Sequence, residues 1–94
     1  MGMRDVVTNT ARGKGEKHRC PCCKFKTLRG RADYDICPVC FWEDDGQGEV
    51  EADEVWGGPN RNLSLRQAQK NFAEIGAVEE GVRRFVRKPL PDEL

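Results

Sequence analysis

The chain has 94 residues, which is enough for one small domain and too few for two ordinary ones. Leu, Ile, Val and Phe together account for only 19 of them, near the composition at which chains stop folding by themselves. Charged residues make up 34% of the chain, the net charge is zero, and no apolar run approaches the ~20 residues of a membrane span. We therefore expect neither a large enzyme, nor a membrane protein, nor a multidomain chain.

The beginning of the chain is predicted to be a flexible basic leader, residues 1–17. Residues 1–19 carry five basic and two acidic side chains, few apolar residues and no periodicity. This composition is typical of poorly ordered termini. No apolar stretch indicates a secretory signal, so we expect a cytoplasmic protein whose cysteines stay reduced.

The five cysteines of the chain are Cys20, Cys22, Cys23, Cys37 and Cys40. Four of them form two C-x2-C pairs, here called the first knuckle (residues 20–23) and the second knuckle (residues 37–40). Each knuckle has proline after its first cysteine, and thirteen residues separate the two. Such turns let paired thiolates converge on one ion, and four thiolates match the tetrahedral preference of zinc. We predict one structural zinc ion per chain, held by Cys20, Cys23, Cys37 and Cys40; iron, which binds the same ligands, is the alternative.

Cys22 is not expected to be a metal ligand, because a residue in the middle of a knuckle points away from the ion that its neighbours bind. The simplest interpretation is a small, half-buried side chain, and the alternative is a reactive thiol. His18, the only histidine, could replace a cysteine as a ligand, but four thiolates already satisfy zinc.

The residues between the knuckles are predicted to form a β-hairpin. Tyr34 and Ile36 alternate with acidic residues, which is a strand pattern. Residues 25–28 can pair with this strand through a turn at residues 29–31. Residues 18–42 would then form a zinc-ribbon or rubredoxin-like double knuckle.

An acidic loop is predicted at residues 43–62, which contain seven acidic side chains before their first basic one. The simplest interpretation is a solvated face, and the alternative is a docking surface for a basic protein. Trp42, Glu43, Asp44 and Asp45 are candidate residues of such a partner surface, because Trp is favoured at interfaces. The other interpretation of the aromatic residues is that they cover the metal site.

Two short amphipathic helices are predicted over residues 63–88. The first is expected to begin after Ser64, which fits a capping box, and to end at Gly76, which suits the left-handed conformation. The second has an apolar face, acidic residues first and basic residues last, and is expected to end before Pro89. Gly81 lies inside the second helix and makes the free energy of helix formation less favourable by about 1 kcal/mol.

Several unusual strings occur in order along residues 18–89. They are Cys20-Pro21-Cys22-Cys23, residues 34–45, Gly57-Gly58-Pro59-Asn60, Leu63-Ser64-Leu65 and residues 67–72. In these strings the chain resembles the bacterial cysteine-rich CPCC family. The chain departs from the family at Lys24, where Gly is usual and tolerates a positive φ better, and at Pro59, where Ala is common. The resemblance implies a metal-binding module with the same cysteine ligands, and no settled activity.

Together these observations predict a small α+β zinc-binding domain at residues 18–89, followed by a tail at residues 90–94. A four-thiolate zinc has no open position for a substrate, so we expect a structural metal in a protein-interaction or regulatory module with a protein partner. A nucleic-acid-binding zinc ribbon is an alternative, opposed by the zero net charge and the acidic loop. An enzyme that uses Cys22 as its thiol is the least favoured alternative, and no catalytic residue is identified.

Overall fold

In the computed structural model the described part of the chain is residues 17–94. The leader predicted at residues 1–17 lies outside it, apart from Lys17. These described residues contain two short strands, β1 (His18–Arg19) and β2 (Lys26–Leu28), and one α-helix, α1 (Leu65–Ile75). They also contain four 3-10 helices, which are Glu49–Glu51, Gly58–Asn60, Glu80–Phe85 and Pro91–Glu93.

The β-hairpin encloses the first knuckle, because β1 pairs antiparallel with β2 on either side of it. The predicted pairing of residues 25–28 with residues 34–36 is wrong. Ile36 instead forms an isolated antiparallel bridge with Glu43, across the second knuckle. Tyr34 has a φ of 59°, which interrupts the extended conformation that a strand requires. Each knuckle is therefore closed by the residues that flank it.

Helix α1 begins and ends where the sequence predicts. The Ser64 hydroxyl accepts a hydrogen bond of 3.0 Å from the backbone N–H of Gln67. Gly76 closes the helix with a φ of 79°, in the left-handed region that glycine adopts without strain. Leu65 and Ala68 are fully buried, so one face of α1 packs against the cysteine-rich part of the domain.

The second predicted helix is replaced by the six-residue 3-10 helix Glu80–Phe85, which ends at Val86 in an extended conformation. The prediction of an amphipathic helix up to residue 88 is therefore wrong. Gly81 weakens helix formation by about 1 kcal/mol. In addition, Arg87 donates its backbone N–H to the carbonyl oxygen of Pro38 at 3.1 Å, which ties this segment to the second knuckle. A tertiary hydrogen bond thus replaces a helical one.

The core surrounds the two knuckles, and all five cysteines are buried in it. Its other members include Leu28, Val39, Trp42, Ala52, Leu65 and Val78. Residues 90–94, which were expected to be a tail, also pack on the domain, since Glu93 is only 2% exposed. Among the residues described, no helix has the length and apolar character that crossing a membrane would require.

Candidate metal centre

The two knuckles repeat one backbone geometry. Lys24 donates its N–H to the carbonyl oxygen of Cys20, and Phe41 donates its N–H to that of Cys37, each at 2.8 Å. The first cysteine of each knuckle also donates its own N–H to a carbonyl oxygen beyond the turn, at 2.9 Å in both cases. Lys24 and Phe41 have φ values of 72° and 79°. This repeated tight turn places the two cysteines of each knuckle on the same side.

The four predicted ligands meet at one place. The Sγ atoms of Cys20, Cys23, Cys37 and Cys40 all lie within 4.8 Å of one another. Sγ of Cys20 is 3.6 Å from Sγ of Cys40, and Sγ of Cys23 is 3.7 Å from Sγ of Cys37. Thiolates about 2.3 Å from a tetrahedral zinc lie roughly 3.8 Å apart. The sulfur cluster therefore has the dimensions of a four-thiolate site for one ion.

The sulfurs of the second knuckle receive further hydrogen bonds. The N–H of Val39 lies 3.4 Å from Sγ of Cys37, and the N–H of Trp42 lies 3.4 Å from Sγ of Cys40. The Thr27 hydroxyl lies 2.9 Å from Sγ of Cys37, where it can donate to a thiolate. Hydrogen bonds to a sulfur atom that also binds a metal orient this ligand and tune its charge. Thr27 could not be predicted from the sequence, because cysteine spacing carries no information about which strand residue faces the sulfurs.

The four thiols do not ionise independently, because they hydrogen-bond to one another in the interior. The interaction with Cys23, followed by that with Cys37, raises the pKa of the Cys20 thiol far above its ordinary range. The interaction with Cys20 raises the pKa of Cys40 in the same way. Hydrogen bonds from Cys20 first, and then from the other two thiols, lower the pKa of Cys37. A cation that binds all four sulfurs must therefore displace protons from several of them.

A comparison with protein families agrees with this arrangement. The family described as cysteine-rich CPCC matches residues 18–93, which is well over half of the chain. The chain belongs to the cysteine-rich CPCC family. Both knuckles, α1 and the C-terminal 3-10 helix Pro91–Glu93 lie within the matched residues. No curated protein matches the chain, and neither does any solved structure.

Cys22 and His18 of this CPCC domain lie outside the sulfur cluster. Cys22 occupies the position in the first knuckle that Val39 occupies in the second, and the two residues are 4% and 2% exposed. The Cys22 thiol is thus shielded from solvent in the same way as an apolar side chain. His18 lies on β1 with its side chain exposed.

Two of the four residues predicted to form a partner surface are buried in the CPCC domain. Trp42 and Asp44 are both 0% exposed, so their assignment to a surface is wrong. Trp42 instead packs with the cysteines in the core. The Asp44 carboxylate accepts a hydrogen bond of 2.8 Å from Nε of Arg31 and two more from backbone N–H groups. Glu43 and Asp45 are half-buried, so they retain access to solvent.

The acidic loop of the CPCC domain is tied to the rest of the chain by Glu49. Its carboxylate accepts hydrogen bonds from Nε2 of Gln69 at 2.7 Å, Nη1 of Arg66 at 3.0 Å and Nζ of Lys24 at 3.1 Å. These contacts, with that of Gln69 first, lower the pKa of Glu49 to about 2. Gln69 also donates to the carbonyl oxygen of Pro21 at 2.9 Å. The loop, α1 and the first knuckle therefore share one polar network.

Proposed function

We propose that this CPCC protein is a structural-zinc protein of the cytoplasm whose surface binds another protein. The observation that carries the proposal is the closed sulfur cluster, in which four buried cysteines place their Sγ atoms within 4.8 Å of one another. Four thiolates complete the coordination of zinc and leave no position for water or a substrate. The ion would then serve the fold, and the biological activity would reside on the surface, as an interaction or regulatory module.

The apolar core also supports a structural metal. Trp42, Leu28 and Leu65 are the largest apolar side chains that are fully buried. A core of this size supplies only a few kcal/mol, whereas a structural zinc site contributes ~10–16 kcal/mol of apparent binding free energy that is coupled to folding. Zinc binding would therefore determine whether the domain that carries this surface is folded.

Nucleic-acid binding receives less support, because most arginines of the described part are already paired with carboxylates. The paired residues are Arg29, Arg31, Arg61, Arg66, Arg83 and Arg87. Cations engaged in this way are less available to neutralise phosphates. An enzyme that uses Cys22 also receives less support, since this thiol is only 4% exposed.

The metal part of the proposal can be tested by substituting cobalt into the full chain. Native mass spectrometry should show one zinc ion per chain, and elemental analysis distinguishes zinc from iron. The visible spectrum of the cobalt form should indicate a tetrahedral four-thiolate site and should not change when imidazole or azide is added. A change with these ligands would indicate an open coordination position and would contradict a purely structural role.

The interaction part needs a separate measurement. The zinc-loaded chain and a Cys37→Ser variant can be compared as baits in a reducing cell extract, with cross-linking to retain weak complexes. We expect proteins that are captured by the zinc-loaded chain and not by the variant, because the variant lacks one thiolate ligand. Equal capture by both baits would mean that the folded surface is not what binds.

A further inference from the structure

A small cavity lies where the residues after the second knuckle meet the loop before α1. Its volume is about 100 Å³. Phe41, Leu63 and Val82 form apolar walls, and Glu43 and Glu79 also line it. The cavity therefore combines an apolar interior with acidic groups.

The two acidic residues that line the cavity have different surroundings. Glu79 is paired with Arg61, which also lines the cavity. The backbone of Glu43 is held by Asn60, which accepts from its N–H at 3.2 Å and donates to its carbonyl oxygen at 2.7 Å. Asn60 is itself only 6% exposed, so this anchor is rigid. Glu43 is thus a half-buried acid whose main chain is fixed beside the cavity.

Glu43 also differs from the other acids of its segment. Residues 43–54 contain seven acidic side chains, and within residues 17–94 every carboxylate among them except that of Glu43 accepts a hydrogen bond. The carboxylate of Glu43 has neither a hydrogen bond nor an ion pair in this part of the chain. A half-buried carboxylate is partly desolvated, so it attracts an incoming cation more strongly than a fully hydrated acid does.

We propose that this cavity receives a lysine side chain of a partner polypeptide. The aliphatic stem of the lysine would contact Phe41, Leu63 and Val82, and its ammonium group would pair with Glu43. A cavity of about 100 Å³ suits the end of one side chain, since about 150 Å³ holds a benzene molecule. Arginine fits less well, because its planar guanidinium group is larger than the compact ammonium group of lysine and the cavity is small. This inference rests on the proposed function, in which the folded surface binds a protein.

The test is a selection of random displayed peptides on the full-length, zinc-loaded protein. Glu43→Gln removes the charge and keeps the shape, while Glu74→Gln is the matched control because Glu74 is exposed and lies outside the cavity. We expect the enriched peptides to share a lysine and to bind Glu43→Gln about five- to tenfold more weakly, with no change on Glu74→Gln. Replacing that lysine by norleucine should weaken binding to the wild-type protein by a similar factor.

The possible results separate this inference from the proposed function. Enriched peptides without a lysine, peptides that bind Glu43→Gln as tightly as the wild type, or peptides that tolerate norleucine would each overturn the inference and leave the interaction role standing. A failure to enrich any peptide would also overturn the inference, while the interaction role is decided separately by the capture experiment with the zinc-loaded chain and Cys37→Ser. The norleucine comparison uses the unmodified protein, so its outcome does not depend on how well Glu43→Gln folds.

Discussion

Lys24 and Phe41 occupy equivalent positions in the two knuckles, each directly after the second cysteine. Their φ values are 72° and 79°, and each donates its N–H at 2.8 Å to the carbonyl oxygen of the first cysteine of its knuckle. A non-glycine residue in this left-handed region carries strain of about 1–2 kcal/mol. The strained conformation occurs in both knuckles, because this turn brings the two sulfurs of each knuckle to one side.

We predict that Lys24→Gly is more stable than Lys24→Ala by about 1 kcal/mol. Both substitutions remove the exposed ion pair with Glu49, so their difference reports the backbone conformation alone. Only glycine adopts the positive φ without strain. Denaturant unfolding of the two zinc-loaded variants measures the difference. Equal stabilities would show that the left-handed turn is not strained at this position.

Replacing any one cysteine of the sulfur cluster by serine should release the metal and unfold the domain. Serine removes a soft thiolate from a site whose four Sγ atoms lie within 4.8 Å of one another. Cys22→Ser is the matched control, because Cys22 is buried beside the cluster but is not part of it. It should retain one zinc ion per chain and lose about 1 kcal/mol of unfolding free energy. Native mass spectrometry and amide NMR spectra check both results.

A strong chelator gives the complementary experiment. We expect the dispersed amide spectrum to collapse towards that of an unfolded chain when zinc is removed, since metal binding and folding are coupled. A chelated protein that keeps its dispersed spectrum would show that the apolar core is sufficient for folding.

The cysteine variants also test the ligand assignment. Loss of zinc in Cys22→Ser together with its retention in Cys20→Ser would show that the assignment is wrong.

The parts of the fold that could be predicted from the sequence depend on local geometry. Two cysteines at C-x2-C spacing can reach one ion from a single turn, so the sulfur cluster follows from neighbours in the chain. Helix α1 was predictable for a similar reason, because Ser64 and Gly76 act within one turn of its ends.

The predictions that were wrong concern parts of the fold that depend on contacts between distant residues. The alternation at residues 33–36 occurs in a loop in which Tyr34 is 58% exposed, so it does not mark a strand. Residues 86–90 do not continue the preceding helix because Arg87 bonds to Pro38, and Asp44 is buried because Arg31 reaches it. No periodicity of the sequence encodes these pairings.

Thr27→Val should weaken zinc binding by about tenfold. Valine keeps the shape of threonine but removes the hydroxyl that lies 2.9 Å from Sγ of Cys37, so the thiolate loses a hydrogen bond. Thr27→Ser is the matched control, because it keeps the hydroxyl. Competition with a chromophoric chelator measures the affinities. If the serine variant is as weak as the valine variant, packing rather than the hydrogen bond is responsible.

Glu93 should stabilise the domain through its pairing with Arg87. The guanidinium donates two hydrogen bonds to the Glu93 carboxylate, at 2.8 and 2.9 Å, and the N–H of Leu90 donates a third at 2.8 Å. The contact with Arg87 is the main cause that lowers the pKa of Glu93 from 4.5 to about 2. Glu93→Gln should therefore reduce the free energy of unfolding by about 1–3 kcal/mol at neutral pH, as measured by denaturant unfolding.

The pH dependence of this difference is a further test. Because the pKa of Glu93 is lower in the folded state than in the unfolded state, its stabilisation is fully present above pH 4.5 and is lost as the pH falls towards about 2. The difference between wild type and Glu93→Gln should be constant from about pH 7 to pH 5.5 and should shrink near pH 4. Glu74→Gln is the control for removing an exposed acid. Metal loss in acid affects all three proteins alike, so a difference that grows on acidification would contradict the role assigned to Glu93.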